Sequence, residues 1–136
     1  MKSERKNLIA VYGTLRRGCG NHRYLLSEAD FLGEFDSEPT FSLYSLGGFP
    51  GLKNNGNTSV KMEVFAVNDD EAEAVDQLEG YQAGRKPHFY DKQDIETPFG
   101  TAGVYIYVRD TEGRGFIETG DWLNQEVKVV RDGMVE

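Results

Sequence analysis

Apolar residues along this chain recur mostly at every second position, the period of a β-strand with one buried face. Asn7–Tyr12 is a short, largely apolar run stopped by Gly13, which fits a buried strand. Phe41–Leu46 alternates Phe41, Leu43 and Ser45 against Ser42, Tyr44 and Leu46, and Gly47-Gly48 ends it. Val60–Val67 places Val60, Met62, Val64 and Ala66 on one face and Lys61, Glu63, Phe65 and Val67 on the other. Ala102–Arg109 sets Val104, Ile106 and Val108 opposite Tyr105 and Tyr107, the pattern of a central strand. Asp30–Phe35, His88–Thr97 and Val127–Val130 are weaker strand patterns.

Helical patterns are few. Asn21–Ser27 allows two turns with Asn21 as N-cap, and Asp69–Glu79 is the stronger segment. Asp69 or Asp70 caps the second helix, Glu71 and Glu73 suit its positive end, and Gly80 stands where a terminating glycine belongs. At about 100° per residue from Ala72, Val75 falls near −60°, Leu78 near −120° and Glu79 near −20°. Glu79 therefore shares the apolar stripe and not the acidic face of Glu71, Glu73 and Gln77. An inward carboxylate in the last turn is disfavoured by desolvation and by the negative end of the helix dipole. Both raise its pKa toward that of a general base at neutral pH. The alternative is a helix-end Glu that bends outward or pairs with Arg85 or Lys86. Many strands with two short helices predict an α+β chain built on a small barrel or a strongly curved mixed sheet.

With 136 residues the chain has the length of one domain, 1–136, able to bury a core without disulfides or structural metal. Its apolar share, with Gly counted and Tyr set aside, is about 45%, that of a folded chain. Fifteen Lys and Arg against 23 Asp and Glu give a net charge of −8. The charge is uneven. Residues 1–26 hold Lys2, Arg5, Lys6, Arg16, Arg17 and Arg23 against Glu4 alone, so the remainder is strongly acidic. Such a surface repels a phosphate backbone, which argues against a nucleic-acid partner but not against a small anion near the basic segment. The single Cys19 forms no internal disulfide and suits a reducing cytoplasm. The apolar run Leu8–Tyr12 is too short for a secretory signal, and no run reaches a membrane span.

Between the first strand and the first helix lies Gly13-Thr14-Leu15-Arg16-Arg17-Gly18-Cys19-Gly20-Asn21. Its glycines permit a sharp turn whose N–H groups face an anion; the alternative is an ordinary turn with solvated arginines. It is not a phosphate P-loop, because Cys19-Gly20 stands where Lys-Ser/Thr is required. Cys19 and His22 are three apart, but nothing in the sequence orients the histidine, and a small Cys in such a turn is ordinarily a packing residue. His22, His88 and Cys19 lack metal-ligand spacing. Gly120-Asp121-Trp122 fits a turn that seats a large aromatic against the body.

Taken in order, several segments resemble the γ-glutamylcyclotransferase-like family (AIG2-like, BtrG-like). They are Val11-Tyr12-Gly13-Thr14-Leu15-Arg16-Arg17-Gly18 with Asn21-His22, Phe49-Pro50-Gly51-Leu52, Glu63-Val64-Phe65 and Asp76-Gln77-Leu78-Glu79-Gly80-Tyr81. Tyr90, Val104-Tyr105-Ile106-Tyr107 and Gly120-Asp121-Trp122 complete the match, over about residues 8–123. The resemblance implies a small mixed β-barrel flanked by short helices, with a cavity between the Tyr-Gly-Thr-Leu turn and the glutamate. It also implies release of 5-oxoproline from a small γ-glutamyl substrate: the substrate's α-amine attacks its own γ-carbonyl and expels the other amine. On that pattern Glu79 is the catalytic acid/base, and Tyr12, Gly13, Thr14 and Leu15 cradle the substrate. Tyr90 and Tyr105 wall the cavity and hydrogen-bond the substrate, and no metal or other cofactor takes part.

Two departures bear on the substrate. The family often has Gly before the glutamate of the central strand, where this chain has Met62, a side chain expected to narrow the site. After Tyr90 the family often has Arg, where this chain has Asp91-Lys92. The resemblance leaves the leaving amine unspecified, and the pattern specifies no oligomeric state. Two other readings remain alongside the enzyme. One is a non-catalytic module that binds a small amino-acid-like ligand in the same cavity; the other is an interaction protein with a filled cavity and Glu79 salt-bridged outward.

Overall fold

A computed structural model describes residues 5–82, 84–85, 89–124, 127–128, 130–131 and 134–135. In chain order the strands are β1 (Asn7–Val11), β2 (Asp30–Asp36), β3 (Phe41–Ser45), β4 (Pro50–Asn54), β5 (Lys61–Val67), β6 (Tyr90–Thr97), β7 (Gly100–Tyr107) and β8 (Gly115–Ile117). Three two-residue strands follow, β9 (Val127–Lys128), β10 (Val130–Arg131) and β11 (Met134–Val135). The helices are α1 (Gly20–Leu25) and α2 (Asp69–Glu79), with a 3₁₀ turn at Trp122–Asn124. No helix among the described residues is long and apolar enough to cross a membrane.

The main sheet runs β2-β5-β1-β7-β6, and a second sheet runs β4-β3-β8-β9. In the main sheet only β1 and β7 pair in parallel, at Ile9 and Gly103. This is a mixed α+β fold, and the sheets do not close into the expected barrel. The outer strands β2 and β6 expose Glu34, Asp36, Asp91 and Asp94 along their lengths, and charged edge strands resist further pairing. The predicted strands fall where the alternation placed them, with ends shifted by up to two residues. Of the expected His88–Thr97 strand, His88 lies outside the described residues, and Val127–Val130 divides into parts of β9 and β10. Strands β4 and β8 have no alternating pattern; Pro50-Gly51 opens β4, where proline is tolerated because it begins the strand.

Strict alternation buries the central strands β1, β5 and β7 of the main sheet on both faces. Ala10, Met62, Val64, Val104 and Ile106 point toward the second sheet and meet Leu43, Leu52 and Ile117 there. Ile9, Val11, Phe65, Val67, Tyr105 and Tyr107 point the other way and are covered by Leu15, Leu26 and Val75. Burying each large apolar side chain contributes about 1.5–3 kcal/mol, so β5 is held from both sides. Met62 is fully buried between the sheets and does not line the cavity described below, which corrects the expectation that it narrows the site.

Glu63 lies on the helix-covered face, in step with Phe65 and Val67, and is only 2% exposed. Its carboxylate is held by three donors: Arg16 Nε at 2.8 Å, the Arg17 backbone N–H at 2.9 Å and Arg17 Nε at 3.2 Å. Arg16, 4% exposed, also reaches Asp121 Oδ1 at 2.6 Å through its Nη1. Burial works against the Arg16 charge, but the bonds to Glu63 and Asp121 outweigh it and raise its pKa. The arginines after Gly13 are therefore not both solvated: Arg16 is a buried tie, while Arg17 lies half-exposed with its guanidinium 3.6 Å over the Phe31 ring.

The helix ends differ from expectation at their N-termini. α1 begins at Gly20, with Cys19 in the cap position and no side-chain cap; Asn21 instead donates from Nδ2 to Thr14 Oγ1 at 2.7 Å. α2 is capped by Asn68 and not by Asp69 or Asp70. Asn68 accepts from the Glu71 N–H at 2.8 Å, and Glu71 accepts from the Asn68 N–H at 2.9 Å, a reciprocal box. Gly80, at φ +70°, ends α2 by donating to the carbonyls of Asp76 and Gln77.

Replacing Glu63 by Gln leaves Arg16 buried with half its counter-charge removed. Glu63→Gln is expected to lower stability by about 3 kcal/mol or more, read as a lower urea midpoint at unchanged slope. An unchanged midpoint would show that the network does not hold the turn.

Candidate active site

A cavity of about 570 Å³ opens between the turn after β1, the C-terminal end of α2 and the Leu46–Pro50 loop. That volume suits a small metabolite. Tyr12, Gly13, Thr14, Leu15, Glu79, Tyr90 and Tyr105 all line it, so the seven residues singled out in the sequence meet at one place.

The turn is shaped by close packing. A Cβ on Gly13 would come within 2.4 Å of the Pro50 ring, so only glycine admits β4 this close. The Arg16 N–H closes the turn on the Gly13 carbonyl at 3.0 Å, and the His22 N–H reaches the Thr14 carbonyl at 3.3 Å. The N–H groups of Gly13, Thr14 and Leu15 make no hydrogen bond with described residues. Three successive unpaired donors at a cavity wall form a place for an anionic oxygen.

Glu79 is the last residue of α2. It makes no hydrogen bond or ion pair with a described residue. Burial pushes its pKa from 4.5 up to about 7. The outward pairing considered for it is not made with Arg85, which donates to Gln82 Oε1 at 2.9 Å; Lys86 lies outside the described residues. Glu79 and Arg114 are the charged residues among the described cavity lining.

The tyrosines are committed to the protein as donors. Tyr12 OH donates to the Tyr105 carbonyl at 2.7 Å, Tyr90 OH to the Pro50 carbonyl at 2.8 Å, and Tyr105 OH to Asp76 Oδ1. Burial pushes all three phenols above their ordinary pKa, with the Glu79 charge adding to it, so they stay neutral. They offer a substrate ring faces and oxygen lone pairs, while their protons are already placed.

Asp76 and Arg114 are the residues that sequence reasoning passed over. Asp76 lies one turn before Glu79 and accepts from Tyr105 OH and, at 3.2 Å, from Lys92 Nζ. Its i, i+3 spacing from Glu79 was a usable signal. Lys92, at the family departure after Tyr90, stands 5.5 Å from the Tyr105 ring centre, behind the cavity wall. Asp91 is exposed and does not line the cavity. Arg114 follows the polar turn Asp110-Thr111-Glu112-Gly113 and carried no signal.

Cys19 and His22 are not brought to this cavity. Burial raises the Cys19 thiol and lowers His22, whose ring packs on Phe65 at 5.2 Å. No cluster of three or more His, Cys, Asp or Glu able to hold a metal occurs among the described residues. Gly120-Asp121-Trp122 seats Trp122 against the core between the sheets, as its sequence suggested, and Asp121 adds the tie to Arg16.

The raised Glu79 pKa has a consequence for stability. Unfolded, Glu79 titrates near 4.5; folded, near 7, so the native state holds the extra proton between these values. Stability falls as pH rises through that window. Glu79→Gln removes the fall: variant and parent match near pH 4, and the variant is more stable by about 3 kcal/mol at pH 8. Denaturant titration at both pH values reads this, and equal stability at pH 8 would place the carboxylate in water.

Residues 9–124 match the sequence profile of the family described as γ-glutamyl cyclotransferase, AIG2-like. A Vibrio cholerae relative, whose name gives γ-glutamylcyclotransferase as a provisional activity, is 42% identical over 120 residues, covering 88% of this chain and 98% of the relative. The γ-L-glutamyl-butirosin B γ-glutamyl cyclotransferase of Niallia circulans is 32% identical over 123 residues, covering 84% and 74%. The solution structure of YtfP from Escherichia coli superposes with a TM-score of 0.67 at 37% identity, covering 86% of this chain and 96% of that one.

Proposed function

Since the chain belongs to the AIG2-like γ-glutamyl cyclotransferase family and is an enzyme of it, we propose that it releases 5-oxoproline and a free amine from a γ-glutamyl amino acid or amide, with Glu79 as acid and base. The observation that carries this reading is the Glu79 carboxyl, with a pKa of about 7, sharing one cavity with the N–H groups of Gly13, Thr14 and Leu15, all without a hydrogen-bond partner among the described residues.

The chemistry needs a proton carrier and an anion site. Ionised Glu79 takes a proton from the substrate's α-ammonium, and the freed amine attacks the γ-carbonyl carbon. A ring C–N bond forms as the carbonyl oxygen becomes anionic. The turn N–H groups are suited to that oxygen or to the substrate's carboxylate. Collapse reforms the carbonyl and breaks the bond to the leaving nitrogen, which Glu79 protonates. In total two protons pass from the attacking nitrogen to the departing amine, and Glu79 ends ionised as it began. Attack within one molecule supplies its own effective concentration, so the protein's task is to fold the substrate into the attacking shape. The fixed tyrosine wall suits that task.

As written, the reaction uses no metal or cofactor. The reading also takes residues 1–136 as one domain, and places the enzyme in the cytoplasm on the strength of its lone Cys19.

Glu79→Gln is expected to cut 5-oxoproline formation by about 10³-fold or more while the fold persists. The parent's kcat/KM is expected to rise with pH through a midpoint near 7. Mass-spectrometric product assay on a panel of γ-glutamyl amino acids reads both. Equal turnover by parent and variant would remove Glu79 from the mechanism.

A further inference from the structure

Arg114 lines the same cavity as Glu79 and is the basic residue among its described lining. It is exposed, and its guanidinium makes no hydrogen bond or ion pair with a described residue; only its backbone N–H is engaged, to the Thr111 carbonyl at 3.0 Å. Among the described residues, the arginines that are buried or half-buried have carboxylate partners: Arg5 bonds Glu71, and Arg16 bonds Glu63 and Asp121. Arg114 thus brings an unspent bidentate donor to the cavity of a strongly acidic protein.

Its neighbours in the lining give the ligand a second feature. Phe49, Leu78 and Phe89 are exposed large apolar side chains, and all three border this cavity. Apolar groups that stay wet at a cavity mouth are surface available to a ligand. The cavity therefore has four kinds of contact: a base at Glu79, unpaired N–H groups at the turn, an apolar mouth and a free cation.

We propose that Arg114 is a specificity residue that receives a carboxylate on the leaving amine, so that the favoured substrates are γ-glutamyl conjugates of apolar α-amino acids. This rests on the reaction proposed above. The γ-glutamyl half uses Glu79 and the turn. The leaving half presents its carboxylate to Arg114 and its side chain to Phe49, Leu78 and Phe89. An amine without a carboxylate leaves Arg114 unpaired, and a side chain ending in an ammonium meets both a like charge and an apolar mouth.

The test compares γ-glutamylphenylalanine with γ-glutamylphenethylamide, which differ only in that carboxylate, on the parent enzyme, Arg114→Gln and Arg114→Lys. Turnover is followed by 5-oxoproline release and binding by calorimetry. The parent is expected to favour the carboxylate substrate by about 10- to 100-fold in kcat/KM, carried by KM. Arg114→Gln abolishes the preference and leaves turnover of the amide unchanged, and Arg114→Lys restores part of it. A preference that is absent, or that survives Arg114→Gln, overturns this inference and leaves the reaction standing. Binding that prefers the carboxylate through Arg114, without product from either compound, supports this assignment and overturns the reaction. Equal loss of both substrates in Arg114→Gln shows a structural role and overturns the assignment.

Discussion

A single buried carboxylate organises this molecule. Glu63 sits on the helix-covered face of the main sheet, where its neighbours in step are Phe65 and Val67, and an uncompensated charge there would cost several kcal/mol. Its compensation comes from consecutive residues of one turn, Arg16 and Arg17, and Arg16 in turn reaches Asp121. The desolvation cost of Glu63 and Arg16 thus ties three distant stretches of chain together. The turn that carries Gly13, Thr14 and Leu15 cannot drift from the sheet without stranding a buried charge.

The same logic of satisfied and unsatisfied groups separates scaffold from site. Around the cavity, Tyr12, Tyr90 and Tyr105 have placed their protons on protein acceptors, and Thr14 is held by Asn21. Against this fixed wall stand the groups left over: the Glu79 carboxyl, the N–H groups of residues 13–15 and the Arg114 guanidinium. A protein ordinarily satisfies its polar groups, and those it leaves open toward a cavity are available to a ligand. For a cyclisation within the substrate this division is apt, because a rigid wall selects the folded substrate and few groups need to move.

Much of this was legible in one dimension. Alternation located β1, β5 and β7 because each has two buried faces of opposite parity, and the helical phase of Glu79 against Ala72 and Val75 turned it inward. Strands β4 and β8 were not legible: Pro50-Gly51 and Gly115 break any pattern, and those strands form because their partner β3 is already in place. Caps were misjudged at both helix starts, where Cys19 stands in place of the expected Asn21 and Asn68 in place of Asp69 or Asp70. A cap is decided by which side chain reaches a free N–H, and Asn68 with Glu71 made a better pair than Asp69 or Asp70. The main sheet stayed open, with charge carried outward on its edge strands β2 and β6, a fact about neighbours and not about period.

By itself the order of residues determined which side chains face inward, and with them the Tyr-Gly-Thr-Leu turn and the inward glutamate, because strand and helix periods are local geometry. Which inward groups meet was decided only in three dimensions. Met62 was settled between the sheets, Arg16 was paired with a carboxylate 47 residues away, and Asp76 was given Tyr105. Glu79 and Arg114 were left without partners among the described residues, on one cavity. Burial and charge pairing depend on atoms distant in the chain, and the pKa of Glu79, near 7, is a property of that assembled surrounding and not of the residue's place in the sequence.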